Sequence, residues 1–260
     1  MKRLAFVVVA PLVWGSLLAA QNVARSVTAS EGLVQVVFPS RANVCGDGVS
    51  YIQTTNGGSY RTYAGGNSSY NSRESWRGRP CSPGPARVLA SVEAGQITRL
   101  SVFVGPVPGN DTRTINAPAS DAVAWLAELA QRGTSRVAST AIEALTFADA
   151  PTPWPTLLRI ARDTDRPRDV RRNATTWLSF GVTEKLGLAD VDEHRTDDDE
   201  LRTQAVFVLS QRPKAESVPE LIDLVKTAKN ATVRKSAIFW LGQSGDSRAV
   251  DVYAELLGIR

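Results

Sequence analysis

Histidine occurs once in the 260 residues, as His194, and methionine once, as Met1; cysteine occurs twice, as Cys45 and Cys81. These scarcities exclude a good deal. A His-rich or Cys-rich metal site cannot be assembled from one imidazole and two thiols that can pair with each other. A Ser-His-Asp or Cys-His mechanism would have to run through His194 alone. Basic residues outnumber acidic ones by only 30 to 26, far from the concentrated basic face that nucleic acid requires. Beyond the first twenty residues no stretch is apolar enough to span a bilayer, which takes about 20 apolar residues.

What is present suffices for a folded chain. Hydrophobic residues make up 43% and charged residues 22%, so a core can be buried, and the length allows two modest domains. Lys2 and Arg3 precede the apolar run Leu4 to Val13, and small residues follow at Ala19-Ala20. This pattern predicts a signal peptide over 1–20 and an exported chain, periplasmic or extracellular, with no membrane span after cleavage. In an oxidising compartment Cys45 and Cys81 pair. The bridge closes a loop of about 37 residues, which chain entropy values at about 4 kcal/mol.

Charge divides the remainder. The net charge is +4 over 21–115 and −2 over 116–260, which supports two regions of different design. Residues 21–112 read as a small β-rich domain. Leu33 to Phe38 is β-branched and apolar, and Pro39 stops it. Val88, Ala90 and Val92 alternate toward a turn at Ala94-Gly95, and Leu100, Val102 and Val104 continue the alternation on a return strand. Between the cysteines the chain is rich in Gly, Ser and Tyr. Tyr60, Tyr63, Tyr70, Trp76 and Arg77 make this stretch either a binding loop for protein or glycan, or a disulfide-tethered surface loop.

The second half repeats itself. The pattern aliphatic, three residues, Ala, three residues, Leu occurs as Val137-Ala141-Leu145, Val170-Ala174-Leu178, Leu201-Ala205-Leu209 and Val233-Ala237-Leu241, spaced by 33, 31 and 32 residues. Arg171, Arg202 and Arg234 follow the leading aliphatic residue in three copies. Thirteen residues beyond the Ala, three copies enter a second apolar helix: Trp154 to Ala161, Val218 to Lys226 and Val250 to Leu257. Pro155 and Pro219 match in position and suit a first helical turn. Each unit is therefore a helical hairpin whose Ala admits a close neighbour, and hairpins of this kind must stack to bury both faces. Residues 120–131 read as an unpaired helix at the start of the stack. The second copy departs from the pattern over 183–196, with no clear second helix. Asp197 with Glu200, and Asn230, are the expected helix caps.

On these residues the segments Leu201 to Leu224 and Val233 to Leu257 resemble HEAT repeats of the short bacterial type named alongside phycobilin-lyase repeats, and the resemblance spans roughly 116–260. The fold class expected is thus α+β: a small β domain with one disulfide, then an all-α HEAT-like solenoid. The resemblance implies a scaffold that binds a protein partner, without catalysis and without cofactor or metal.

The remaining polar features have simpler readings. Asp190, Asp192, Glu193, His194 and Asp197 to Glu200 form an acidic run ahead of a helix, whose positive end favours such residues; the alternative is an accessory or catalytic site near 190–200. Arg171, Arg202 and Arg234 form either a basic ladder for an anionic partner or internal contacts to carbonyls and acids. A third possibility for the whole chain is an envelope protein that holds glycan through the Tyr-rich loop.

Overall fold

The structure, a computed structural model, describes residues 21–54, 59–62, 68–71, 81–109, 111–150, 153–188, 191 and 196–260. The leader expected at 1–20 lies outside them. A helical segment at 21–28 (α1) is followed by β1 (Gly32–Phe38), β2 (Val44–Gly46), β3 (Tyr51–Thr54), β4 (Ser59–Thr62), β5 (Ser68–Asn71), β6 (Ala86–Glu93), β7 (Gln96–Val104) and β8 (Arg113–Asn116). The strands form two four-stranded sheets, ordered β7-β6-β1-β8 and β2-β3-β4-β5.

The first sheet is built by alternation. Val36 stands opposite Val88, and Val88 opposite Val102, so the buried residues Val34, Phe38, Ala90 and Leu100 share one face with them. β6 and β7 form the expected hairpin, turning through Ala94 and Gly95 at φ 50° and 71°. Both residues adopt positive φ, as a two-residue hairpin turn of the primed kind demands. Alanine is strained there by about 1 kcal/mol, so Ala94→Asn is expected to raise the unfolding free energy by roughly 0.5–1 kcal/mol in urea titrations. β8 joins β1 in parallel, an edge strand beyond the boundary expected at 112.

The opposite face carries Arg87, which is buried. Its guanidinium donates to Gln35 Oε1 at 3.2 Å and to the Gly48 carbonyl at 2.7 Å, and lies 4.5 Å from the Phe103 ring centroid. A buried charge needs such partners, and here they tie the second sheet to the first. The Cys45–Cys81 disulfide, with Cα atoms 5.2 Å apart, closes the second sheet beside the paired backbone of Gly46 and Ser82.

Among the described residues eight helices follow: α2 (Ala119–Arg132), α3 (Ser135–Phe147), α4 (Trp154–Arg162), α5 (Arg168–Lys185), α6 (Asp197–Ser210), α7 (Lys214–Thr227), α8 (Ala231–Gln243) and α9 (Ser247–Leu257). α3 packs on β6 and β7, so the apolar face of the first sheet closes the start of the helical stack. The two halves share one hydrophobic core, running from Val23 to Leu257. Backbone bonds weld the seam: Arg41 N donates to the Phe147 carbonyl and Asp149 N to the Pro39 carbonyl, both at 2.9 Å. α2 is not unpaired; it packs along α3 and touches β1 and α4.

Stacking does not follow chain order. α5 packs on α3 and α4, and its next neighbours are α8 and α9; α6 packs on the far side of α8. The order across the stack is therefore α3, α5, α8, α6. The reason lies in the second copy. α5 runs on to Lys185, and no second helix follows it among the described residues before α6. α9 fills that position, touching both α5 and α4, with Arg162 bonded to Asp251 at 3.0 Å and Lys185 Nζ to the Leu257 carbonyl at 2.5 Å. α7 in turn pairs with α8. Gly181 lets α5 lie close against α4, because a Cβ there would lie 2.9 Å from the Trp154 indole.

Two local expectations are corrected. Thr196, not Asp197, caps α6: its hydroxyl accepts from Asp199 N, and the Asp199 carboxylate accepts from Thr196 N. Pro219 lies inside α7 rather than in its first turn, because Pro213 at the N-cap lets the helix begin at Lys214. Asn230 caps α8 as expected, its Oδ1 accepting from Val233 N at 2.9 Å.

Candidate functional site

The third repeat copy is where sequence pattern and structure part company. Leu201, Ala205 and Leu209 match the anchors of the other copies, yet Leu201 is 71% exposed, Ala205 is exposed and Leu209 is half-buried. Val206 alone of α6 is buried. In α8 the corresponding Ala237 and Leu241 are fully buried. The difference is positional: α8 has neighbours on both sides, whereas α6 ends the stack. Its far side therefore presents Leu201, Ala205 and Val208, one stripe at helical spacing, with Val208 57% exposed. Val208 occupies the place of Trp177, which packs edge-on to Phe147, and of Trp240, which packs against Phe207 and Phe239.

Four carboxylates, Asp197 to Glu200, open α6 beside this stripe. Asp199 is the most constrained. Its Oδ1 accepts from Asn230 Nδ2 at 2.9 Å and its Oδ2 from Thr196 Oγ1 at 2.9 Å, and Arg202 lies 3.2 Å away. The bonds from Asn230 and then Thr196, with Arg202 adding to them, lower its pKa to about 2. A carboxyl whose pKa falls on folding stabilises the fold above its unfolded pKa near 3.8, and that stabilisation is lost as pH falls through about 2. The tie between α6 and α8 is thus expected to hold at pH 4 and release toward pH 2. An NMR titration of the Asp199 carboxyl checks it; a midpoint near 3.8 contradicts it.

The three arginines of one repeat position have three different surroundings. Arg202 is held by Asp198 and Asp199 of its own helix. Arg234 Nε donates to the Val225 carbonyl of α7 at 2.7 Å. Arg171 lines a cavity with other cations, and its Nε is buried without a hydrogen-bond partner among the described residues.

Other candidate residues separate from these. Tyr60 and Tyr70 are cross-strand partners of β4 and β5, while Tyr63, Trp76 and Arg77 lie outside the described residues. Asp190, Asp192, Glu193 and His194 also lie outside them. Among the described residues no group of three or more His, Cys, Asp or Glu side chains is placed to hold a metal ion, and no helix is long and apolar enough to cross a membrane. An apolar cleft of about 460 Å³ lies where Pro39, Ser40 and Val44 meet Pro83, Gly84 and Pro85.

A family model described as HEAT repeats matches residues 192–258, which take in α6 to α9. No curated protein and no solved structure matches the chain.

Proposed function

Because the chain is a HEAT repeat-containing protein, we propose that it is an exported, non-enzymatic scaffold that captures a protein partner on the open end of its helical stack. HEAT repeats serve as helical platforms for protein contacts. The observation that carries the proposal is the outward stripe of Leu201, Ala205 and Val208 on α6. A stack buries such a stripe against its next helix, and here no described residue covers it. Exposed apolar stripes of this kind are where partners dock, and the acidic first turn of α6 supplies a polar rim. Export is supported by the leader pattern at 1–20 and by the disulfide, a bond that persists in oxidising compartments.

The test is affinity capture from the exported fraction of producing cells with the native chain and with Leu201→Asp/Val208→Asp. Both positions are exposed, so folding changes by no more than about 0.5 kcal/mol at each. The native chain is expected to retain a discrete protein that the variant loses by at least about tenfold. Equal recovery by both would remove the α6 face from the account.

A further inference from the structure

We infer that the chain carries a phosphate-binding site, distinct from the α6 face, in the cavity where the N-terminal ends of α5, α7 and α9 converge. The cavity measures about 280 Å³ and is lined by Arg168, Arg171 and Arg172 of α5, Lys214 of α7, and Asp246 at the N-cap of α9. The charge balance is the first argument. None of the four cations makes an ion pair among the described residues, whereas Arg162, Arg202, Arg212 and Arg248 all do. The carboxylate on the wall is engaged chiefly by Arg248, whose guanidinium donates two bonds to Asp246 at 2.9 and 3.0 Å. It also attracts Lys214 through space, which leaves the three arginines of α5 without a carboxylate partner among the described residues.

Position is the second argument. Cations at a helix N-terminus oppose the macrodipole, which favours negative charge there. Yet Arg168 is the first residue of α5 and Lys214 the first of α7. Both helices start from prolines, Pro167 and Pro213, and neither has a side-chain cap, so first-turn N–H groups are left for a ligand. Asp169 offsets little here, because it faces Ser135. An anion seated between the helix ends reverses the sign of both unfavourable terms.

Convergence is the third. Lys214 Nζ and an Arg168 Nη reach the same place beside Gly245, 3.7 and 3.8 Å from where a Cβ on that glycine would stand. Gly245 has φ 64°, which suits glycine at a turn that leaves this space open. The buried Arg171 Nε supplies an unused donor on the same wall. Several cations around one compact site suit a dianion better than a carboxylate, and guanidinium forks match the oxygens of a phosphate.

The experiment is calorimetric titration of the disulfide-bonded chain at low ionic strength with inorganic phosphate, glycerol 3-phosphate and acetate. Flotation with phosphatidylcholine vesicles, with and without phosphatidic acid, runs beside it. One-to-one binding of phosphate or its monoester is expected with Kd below about 1 mM, with acetate at least about tenfold weaker. Arg168→Gln and Lys214→Gln, both exposed, are each expected to weaken binding roughly three- to tenfold while leaving the melting temperature without ligand unchanged. Binding confined to the phosphatidic acid vesicles, and reduced by both variants, identifies a lipid headgroup as the source. Absence of binding in every arm, acetate as tight as phosphate, or variants that bind as the native chain does would each overturn the inference.

Discussion

Replacing Phe147 with Ala, at the junction of the two halves, is expected to lower the unfolding free energy by about 3–5 kcal/mol. Phe147 is fully buried at the end of α3. Its ring meets Trp177 edge-on, with centroids 5.7 Å apart, so one truncation empties a contact between the first and second repeats. Its carbonyl accepts from Arg41 N, and the next residue, Ala148, bridges to Ser40. The same residue thus anchors the seam between helices and sheet. Because the core is continuous, the loss must appear in both halves together. Urea unfolding followed by far-ultraviolet circular dichroism, which the helices dominate, and by hydrogen exchange of the β1, β6 and β7 amides should give coincident transitions, both shifted. A shift in the helical signal alone would mean that the sheet folds independently.

The second large effect is expected from Cys45→Ser/Cys81→Ser. The two residues are 36 apart in sequence, and releasing a loop of that length returns about 4 kcal/mol of chain entropy to the unfolded state. Among the described side chains few buried apolar ones are available to offset it locally. Val44, Tyr51 and Ile52 are the buried hydrophobic residues of β2 and β3. The second sheet is otherwise held by Arg87, reaching Gly48, and by the Gly48 N bond to the Val104 carbonyl at 2.9 Å. Denaturation of the double variant should show a loss approaching that figure, with the second sheet melting first by hydrogen exchange. A loss below about 1 kcal/mol would mean that the sheet stands without its covalent tie.

Much of the helical half was legible because apolar spacing reports which face of a helix is buried. Trp154 to Ala161 becomes α4 almost residue for residue, and Val250 to Leu257 becomes most of α9. The hairpin of β6 and β7 was equally plain, since Val88 and Val102 alternate on matched strands around Ala94-Gly95. Spacing does not report which neighbour a face meets. Leu201 and Val233 occupy the same place in the same pattern, and only the three-dimensional order buries the helix of one and exposes that of the other. A hint lay in the second copy, where the sequence shows no clear second helix and, among the described residues, a slot is left beside α5. The gap is visible in the sequence, but no local signal says that α9 fills it. β8 was overlooked because Arg113–Asn116 is short and mostly polar, and it pairs with β1 across some eighty residues of chain.

The candidate sites divide the same way. The basic cavity joins Arg168, Arg171 and Arg172 to Lys214, which comes from a helix two elements later; the arginine run is visible in sequence, the lysine beside it is not. Arg171 and Arg234 share a repeat position, yet Arg234 Nε finds a carbonyl in α7 and Arg171 Nε finds none among the described residues.

The order of the stack is the claim on which the open face of α6 and the cavity both rest, and it can be read directly. Gln243 Nε2 donates to Thr176 Oγ1 at 3.2 Å, joining α8 to α5. Gln211 holds in the third copy the place that Gln243 holds in the fourth. With Cys45 and Cys81 bonded to each other, cysteines introduced at 176 and 243, or at 176 and 211, are the only free thiols. Treated with a short bifunctional maleimide, the 176/243 pair is predicted to cross-link within one chain and the 176/211 pair to remain open. The reverse outcome would mean repeats stacked in chain order, with α6 buried between α5 and α8.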